Sequence, residues 1–191
     1  MVMRLSRTFD VVALAGVCGT LVLAFYYQLV LGELPCALCN LQRLAFIIFG
    51  GGLLLNIRYG SNPWNYVMSA VAALVGSLIS LLQMFVHAPP GTPPTGAAFL
   101  WLHMYDWGYI ALTAAVFYSL FSLAYLANAF MHGKGEEAAG PPKGAAMVTM
   151  LFVILISAAL VSAFLENGFE PFKSGGQIHY KMLYDGDVMK P

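Results

Sequence analysis

The chain has 191 residues, of which 60% are hydrophobic and only 9% charged, where soluble globular proteins carry roughly 45–50% apolar and about 25% charged residues. That balance excludes an ordinary water-soluble domain and places most of the chain in lipid. Nine basic and nine acidic residues cancel to a formal net charge of +0 at pH 7, so no bulk field draws a polyanion, and nucleic-acid binding is set aside.

Crossing a hydrocarbon core takes about 17–25 helical residues. In chain order, the first apolar run covers 11–31. It is longer than a signal-peptide core of about 7–15 residues, so a retained helix is expected. Cys18 within it reads as a small packing residue. The loop 32–40 leads to the second run, 41–57, whose first turn carries Gln42 and Arg43, as expected for a helix that starts in the membrane interface. A Gly/Ser/Asn/Pro turn at 58–65 leads to the third run, 66–86. His87 ends that helix, and the loop 87–108 begins with prolines that cannot continue it. The loop then becomes aromatic, with Phe99, Trp101, Tyr105, Trp107 and Tyr109. Such a cluster is either an interfacial belt or a lid over a flat apolar ligand. The fourth run is 109–131, a Gly/Pro/Glu/Lys linker occupies 132–146, and the fifth run is 147–165. In the remaining tail, 166–191, the stretch 177–184 has strand composition. It is either a frayed end or a strand offered to a neighbouring sheet.

Lys and Arg concentrate on the cytoplasmic side of membrane proteins. With the N-terminus inside, Arg4, Arg7, Arg58, Lys134 and Lys143 fall on the inner side, and the two outer loops hold only Arg43. Five spans then send the tail outside, with Lys173, Lys181 and Lys190.

The stretch Glu33-Leu-Pro-Cys-Ala-Leu-Cys-Asn-Leu-Gln-Arg43 carries the chemistry. Cysteines three apart on a helical turn lie within the roughly 4.4–6.8 Å between Cα atoms that a disulfide needs. Pro35 suits a first helical turn, and a helix N-terminus favours the thiolate, the species that attacks. Arg43 follows Cys39 by four residues and Cys36 by seven, so the three share a helix face. A cation there stabilises a thiolate, or charge developing on the oxygen of an electron acceptor; the plainer alternative is a snorkelling anchor. Half of a zinc site is another reading of the cysteines, completed by His87 and His103. A purely structural bridge across one turn closes too small a loop to contribute much. His87 stands at the level of the cysteines, either solvated or donating to a carbonyl, and His103 and Asp106 are spaced to pair with each other.

The pattern Pro35-Cys-x-Leu-Cys-x-x-Gln-Arg43, at the outer end of the second helix, resembles the DsbB family of bacterial disulfide-bond-formation proteins over roughly 11–131. The resemblance implies an all-α integral membrane fold. Residues 1–131 would form a DsbB-like four-helix transmembrane bundle, 132–146 a cytoplasmic linker, 147–165 a fifth transmembrane helix and 166–191 a periplasmic C-terminal tail. It also implies residence in the inner membrane and electron transfer from a periplasmic thioredoxin-fold (DsbA-like) or other dithiol protein to ubiquinone or menaquinone. Carried over by position, Cys36 and Cys39 resemble the quinone-coupled pair and Arg43 the arginine beside the quinone. Gln42 matches a less specific position near that site, as does His87, which closes Gln83-Met-Phe-Val-His87.

Two features depart from the pattern. The best-known members carry a second cysteine pair in the loop between helices three and four, whereas 87–108 contains none, so thiol exchange would fall directly on Cys36–Cys39. The fifth span and tail are additions to a bundle that generally ends after four helices, and they are expected to dock onto another protein. Two functions follow as expectations: a thiol:quinone oxidoreductase, or a non-catalytic DsbB-like subunit that anchors a larger membrane complex.

Overall fold

The computed structural model describes residues 2–89, 98–132, 142–168 and 180–184. Six helices follow in order: α1 (Val2–Leu29), α2 (Ala37–Tyr59), α3 (Pro63–His87), α4 (Met104–Met131), α5 (Ala145–Asn167) and the single turn α6 (Lys181–Tyr184). The first five are each long and apolar enough to cross a membrane, so this is a multi-pass membrane protein.

Helix ends follow local chemistry more closely than hydropathy. Asn62 caps α3 by accepting the Trp64 N–H at 3.0 Å, with Pro63 in the first turn. In α4 the cap is His103, whose backbone N–H donates to the Asp106 carboxylate at 2.9 Å. This reciprocal cap starts the helix at Met104, upstream of the apolar run that begins at 109. The expected pairing of His103 with Asp106 is therefore present, as part of the cap.

The middle of the bundle is α3, which packs on α2 and α4; α1 lies on α2, and α5 lies chiefly on α1. Close approach of α2, α3 and α4 depends on Gly76, where a Cβ would stand 2.5 Å from the Ala45 Cβ and 3.0 Å from Leu112 Cδ1. One core runs through all five long helices, from Leu14 and Leu21 through Phe49, Leu53, Ala73 and Leu112 to Phe152 on α5. Cys18 is buried in that core, in keeping with a packing role.

At the end opposite the cysteines, buried Asp10 of α1 accepts hydrogen bonds from Tyr66 of α3 (2.8 Å) and Tyr118 of α4 (2.7 Å). Three helices are thereby joined through one carboxylate.

The expected strand at 177–184 is corrected over its described part: Lys181–Tyr184 is a helical turn, closed by the Leu183 N–H on the Tyr180 carbonyl at 3.1 Å. Residues 177–179 lie outside the described residues. A lone strand has no ladder partner, whereas Met182 gains a seat against Gly168 at the end of α5. Most of the expected linker, 133–141, also lies outside the described residues, and its last two positions already belong to α5.

Candidate active site

The loop before α2 turns at Gly32, whose φ of 70° is left-handed and suits glycine. Pro35 lies just before the cap rather than in the first helical turn. The cap is Cys36 itself, extended at φ −72° and ψ 166°, with its sulfur accepting the Cys39 N–H at 3.2 Å. Thus Cys36 satisfies a free N–H of the first turn, and Cys39 sits inside that turn. The Cys36 thiol is held above its ordinary range, first by its hydrogen bond to Cys39 and then by burial.

Gln83 of α3, fully buried, reaches both sulfurs. Its Nε2 stands 3.5 Å from Cys36 Sγ and 3.5 Å from Cys39 Sγ. Its Oε1 accepts from Gln42 Nε2 at 2.8 Å, so the Gln42 side chain orients the Gln83 carboxamide. A Cβ at Gly108 would lie 3.0 Å from Gln42 Oε1, so glycine there lets α4 close over this pair.

Arg43 turns toward α1. Its guanidinium donates to Gln28 Oε1 at 2.6 Å and to the Ala24 carbonyl at 3.1 Å, and lies 5.5 Å from the centre of the Phe25 ring. A snorkelling anchor would extend into water; this arginine is instead pinned inside the bundle.

Beside these groups is a cavity of about 800 Å³, with Cys39, Gln42, Arg43 and Gln83 in its wall and Phe99, Tyr105 and Trp107 among its aromatic lining. Ligand pockets for small molecules span roughly 300–1,000 Å³ and pair apolar walls with a few placed polar groups. The aromatic segment before α4 is thus divided. Phe99 and Trp107 fold together through a hydrogen bond from the indole N–H to the Phe99 carbonyl at 2.9 Å and cover the cavity. Trp101 is 97% exposed, as an interfacial ring would be.

Of the residues expected at the site, Cys36, Cys39, Gln42 and Arg43 come together. His87 stands behind them. Its ring stacks on Tyr105, with centroids 5.3 Å apart, its Nδ1 lies 2.8 Å from the Gln83 carbonyl, and it is not part of the cavity wall. His103 likewise stacks on Tyr105. Among the described residues, no group of three or more His, Cys, Asp or Glu side chains is arranged to hold a metal.

Sequence reasoning gave Gln83 and Gln28 no role. Each is a buried amide in an apolar helix, and that expense in lipid was the available signal. Gln28 Nε2 donates to Ser162 Oγ at 2.6 Å and to the Tyr180 hydroxyl at 2.9 Å, while Asn40 Nδ2 donates to Glu166 at 3.3 Å. The C-terminal end of α5 therefore stands beside the cysteine end of α2.

The family model described as "Disulfide bond formation protein DsbB" matches residues 6–165, extending the expected resemblance at both ends and running into α5. A curated relative from Chromobacterium violaceum, "Disulfide bond formation protein B", is 35% identical over 81 residues, covering 40% of this chain and 48% of the relative. The chain thus spans about half the length of that relative. No solved structure matches.

Proposed function

The chain belongs to the DsbB family of disulfide-bond-formation membrane proteins, and from that premise we propose that it is a thiol:quinone oxidoreductase. In this reading the N-terminus is cytoplasmic and the cysteine end faces the periplasm of a bacterial inner membrane. The observation that carries the reading is that Cys39 and Arg43 share the wall of one cavity of about 800 Å³.

A dithiol protein, thioredoxin-like in the manner of the family's partners, presents a thiolate to the oxidised pair. Attack at Cys36 breaks the S–S bond, and Cys39 leaves with the bonding electrons. The second thiol of the substrate then displaces Cys36, and the substrate departs as a disulfide. The loop 87–108 has no cysteine, so the substrate meets Cys36 directly. Cys36 is half-buried at the helix cap and lies outside the cavity wall, on the side away from the acceptor.

Ubiquinone or menaquinone fits the cavity, whose aromatic wall suits a flat ring and whose Arg43, Gln42 and Gln83 suit polar oxygens. Bound there, a quinone supplies the acceptor for the two electrons and two protons released when the disulfide re-forms. Arg43 holds a fixed positive charge at the wall where negative charge develops. Gln83 keeps both sulfurs within reach of one carboxamide, which favours their closure on each other. In a purely anchoring subunit, neither arrangement would serve a purpose.

Trapping the thiols of Cys36 and Cys39 in living cells with an alkylating mass tag tests the proposal. The pair is expected to be oxidised when respiratory quinone is present and to accumulate reduced when quinone is depleted. A redox state indifferent to quinone would overturn it in favour of a non-catalytic subunit.

A further inference from the structure

The chemistry above uses α1 to α4 and leaves unexplained why the end of α5 is polar on its inner side. We propose that Ser162 of α5 and Tyr180 beyond it position Arg43 through the carboxamide of Gln28, so that the C-terminal segment completes the redox site. The inference deepens the oxidoreductase reading and rests on it.

Arginine donates hydrogen bonds and cannot accept them, so Gln28 must turn its oxygen toward Arg43. Its two N–H groups then point the other way, where the hydroxyls of Ser162 (2.6 Å) and Tyr180 (2.9 Å) receive them. Gln28 is only 2% exposed, so water is no ready substitute for either hydroxyl. Every polar atom of this carboxamide is therefore engaged, and its orientation is set from the C-terminal side of the chain. With Gln28 fixed, Arg43 is held between the Gln28 and Ala24 oxygens with its plane near Phe25. With the hydroxyls removed, the buried amide N–H groups are stranded and the carboxamide gains reason to turn. Arg43 then loses its shortest hydrogen bond.

A second tie comes from Glu166, buried at the end of α5, which accepts from Asn40 in the first turn of α2. Asn40 follows Cys39 directly. Both halves of the site, the cation and the thiol turn, are thus braced by α5. Ser162 and Tyr180 are positioning residues: they act on Arg43 through Gln28.

The test uses the full-length chain with Ser162→Ala and Tyr180→Phe combined, beside Ser162→Thr, which keeps the hydroxyl. In quinone-free protein, the rate at which phenylglyoxal modifies Arg43, read by peptide mass spectrometry, is expected to rise about tenfold in the double variant. Its dissociation constant for decyl-ubiquinone is expected to weaken by about the same factor. Reduction of the Cys36–Cys39 disulfide by dithiothreitol is expected to keep the wild-type rate, and Ser162→Thr to behave as wild type throughout. Unchanged labelling and quinone affinity in the double variant, while quinone still oxidises the wild-type pair, would overturn the positioning role and leave the oxidoreductase reading standing. Loss of the dithiothreitol step would also overturn it, because the defect would then lie in the thiol turn. A wild-type pair that quinone fails to oxidise would overturn both.

Discussion

Both ends of this bundle bury polar side chains, but they use them differently. At one end Asp10 is closed in, with Tyr66 and Tyr118 donating to its two oxygens from two other helices. At the other end Gln42, Arg43 and Gln83 stand around a cavity with Cys39 in its wall. An ionisable or amide group inside an apolar helix is by default a functional candidate, and on that rule alone Asp10 and Arg43 would rank together. The separating features are an adjoining space and a reactive group facing it. Asp10 joins three helices; Arg43 is pinned on one side and borders the cavity on the other.

The sharpest way to break this comparison is to change one side chain at each end. Cys39→Ser keeps the size of the side chain and an acceptor for Gln83, so the fold should persist. Electron transfer from a dithiol to quinone, followed by the loss of quinone absorbance, should fall to the uncatalysed rate. Retained turnover would mean that the cysteine end is not the redox end. Asp10→Ala should produce the opposite profile. It removes the carboxylate that ties Tyr66, which keeps Ser6 as a partner at 3.1 Å, to half-buried Tyr118, and the loss of both hydrogen bonds, at about 0.5–1.5 kcal/mol each, lowers the midpoint of thermal unfolding in detergent. The surviving folded protein should turn over as wild type does. A loss of turnover with unchanged stability would make Asp10 part of the chemistry.

How much of this was legible in the sequence depends on the range of the interaction. Lipid demands long apolar runs, so all five crossings could be read from composition, although caps such as His103 with Asp106 moved the helix starts. Cys36, Cys39 and Arg43 were legible because one turn of helix fixes their relations. Gln83 was not, because its reach to both sulfurs depends on the register of α3 against α2, which is set by close packing at Gly76. The bonds from Gln28 to Ser162 and Tyr180 join residues more than a hundred positions apart, and no local pattern announces them. The tail illustrates the converse error. Its strand composition is real, but over 181–184 the available partner is the end of α5, and a helical turn forms there instead.

The smallest expected effect sharpens the edge of the site. His87 was placed among the cofactor-contacting positions by resemblance, yet it lies behind the cavity wall, its ring stacked on Tyr105 at 5.3 Å and its Nδ1 2.8 Å from the Gln83 carbonyl. Such an aromatic stack contributes about 0.5–1.5 kcal/mol beyond area burial, and its loss loosens a wall without removing a contact. His87→Ala should therefore weaken decyl-ubiquinone binding only about two- to twelvefold, with the rate of thiol exchange unaltered. Titration of the purified variant against wild type checks this. A loss of a hundredfold or more would require the imidazole to touch the acceptor itself. The boundary between the site and its support would then lie beyond Tyr105, and the contrast between an end that encloses a space and an end that only ties helices would have to be redrawn to include α3 as far as its last residue.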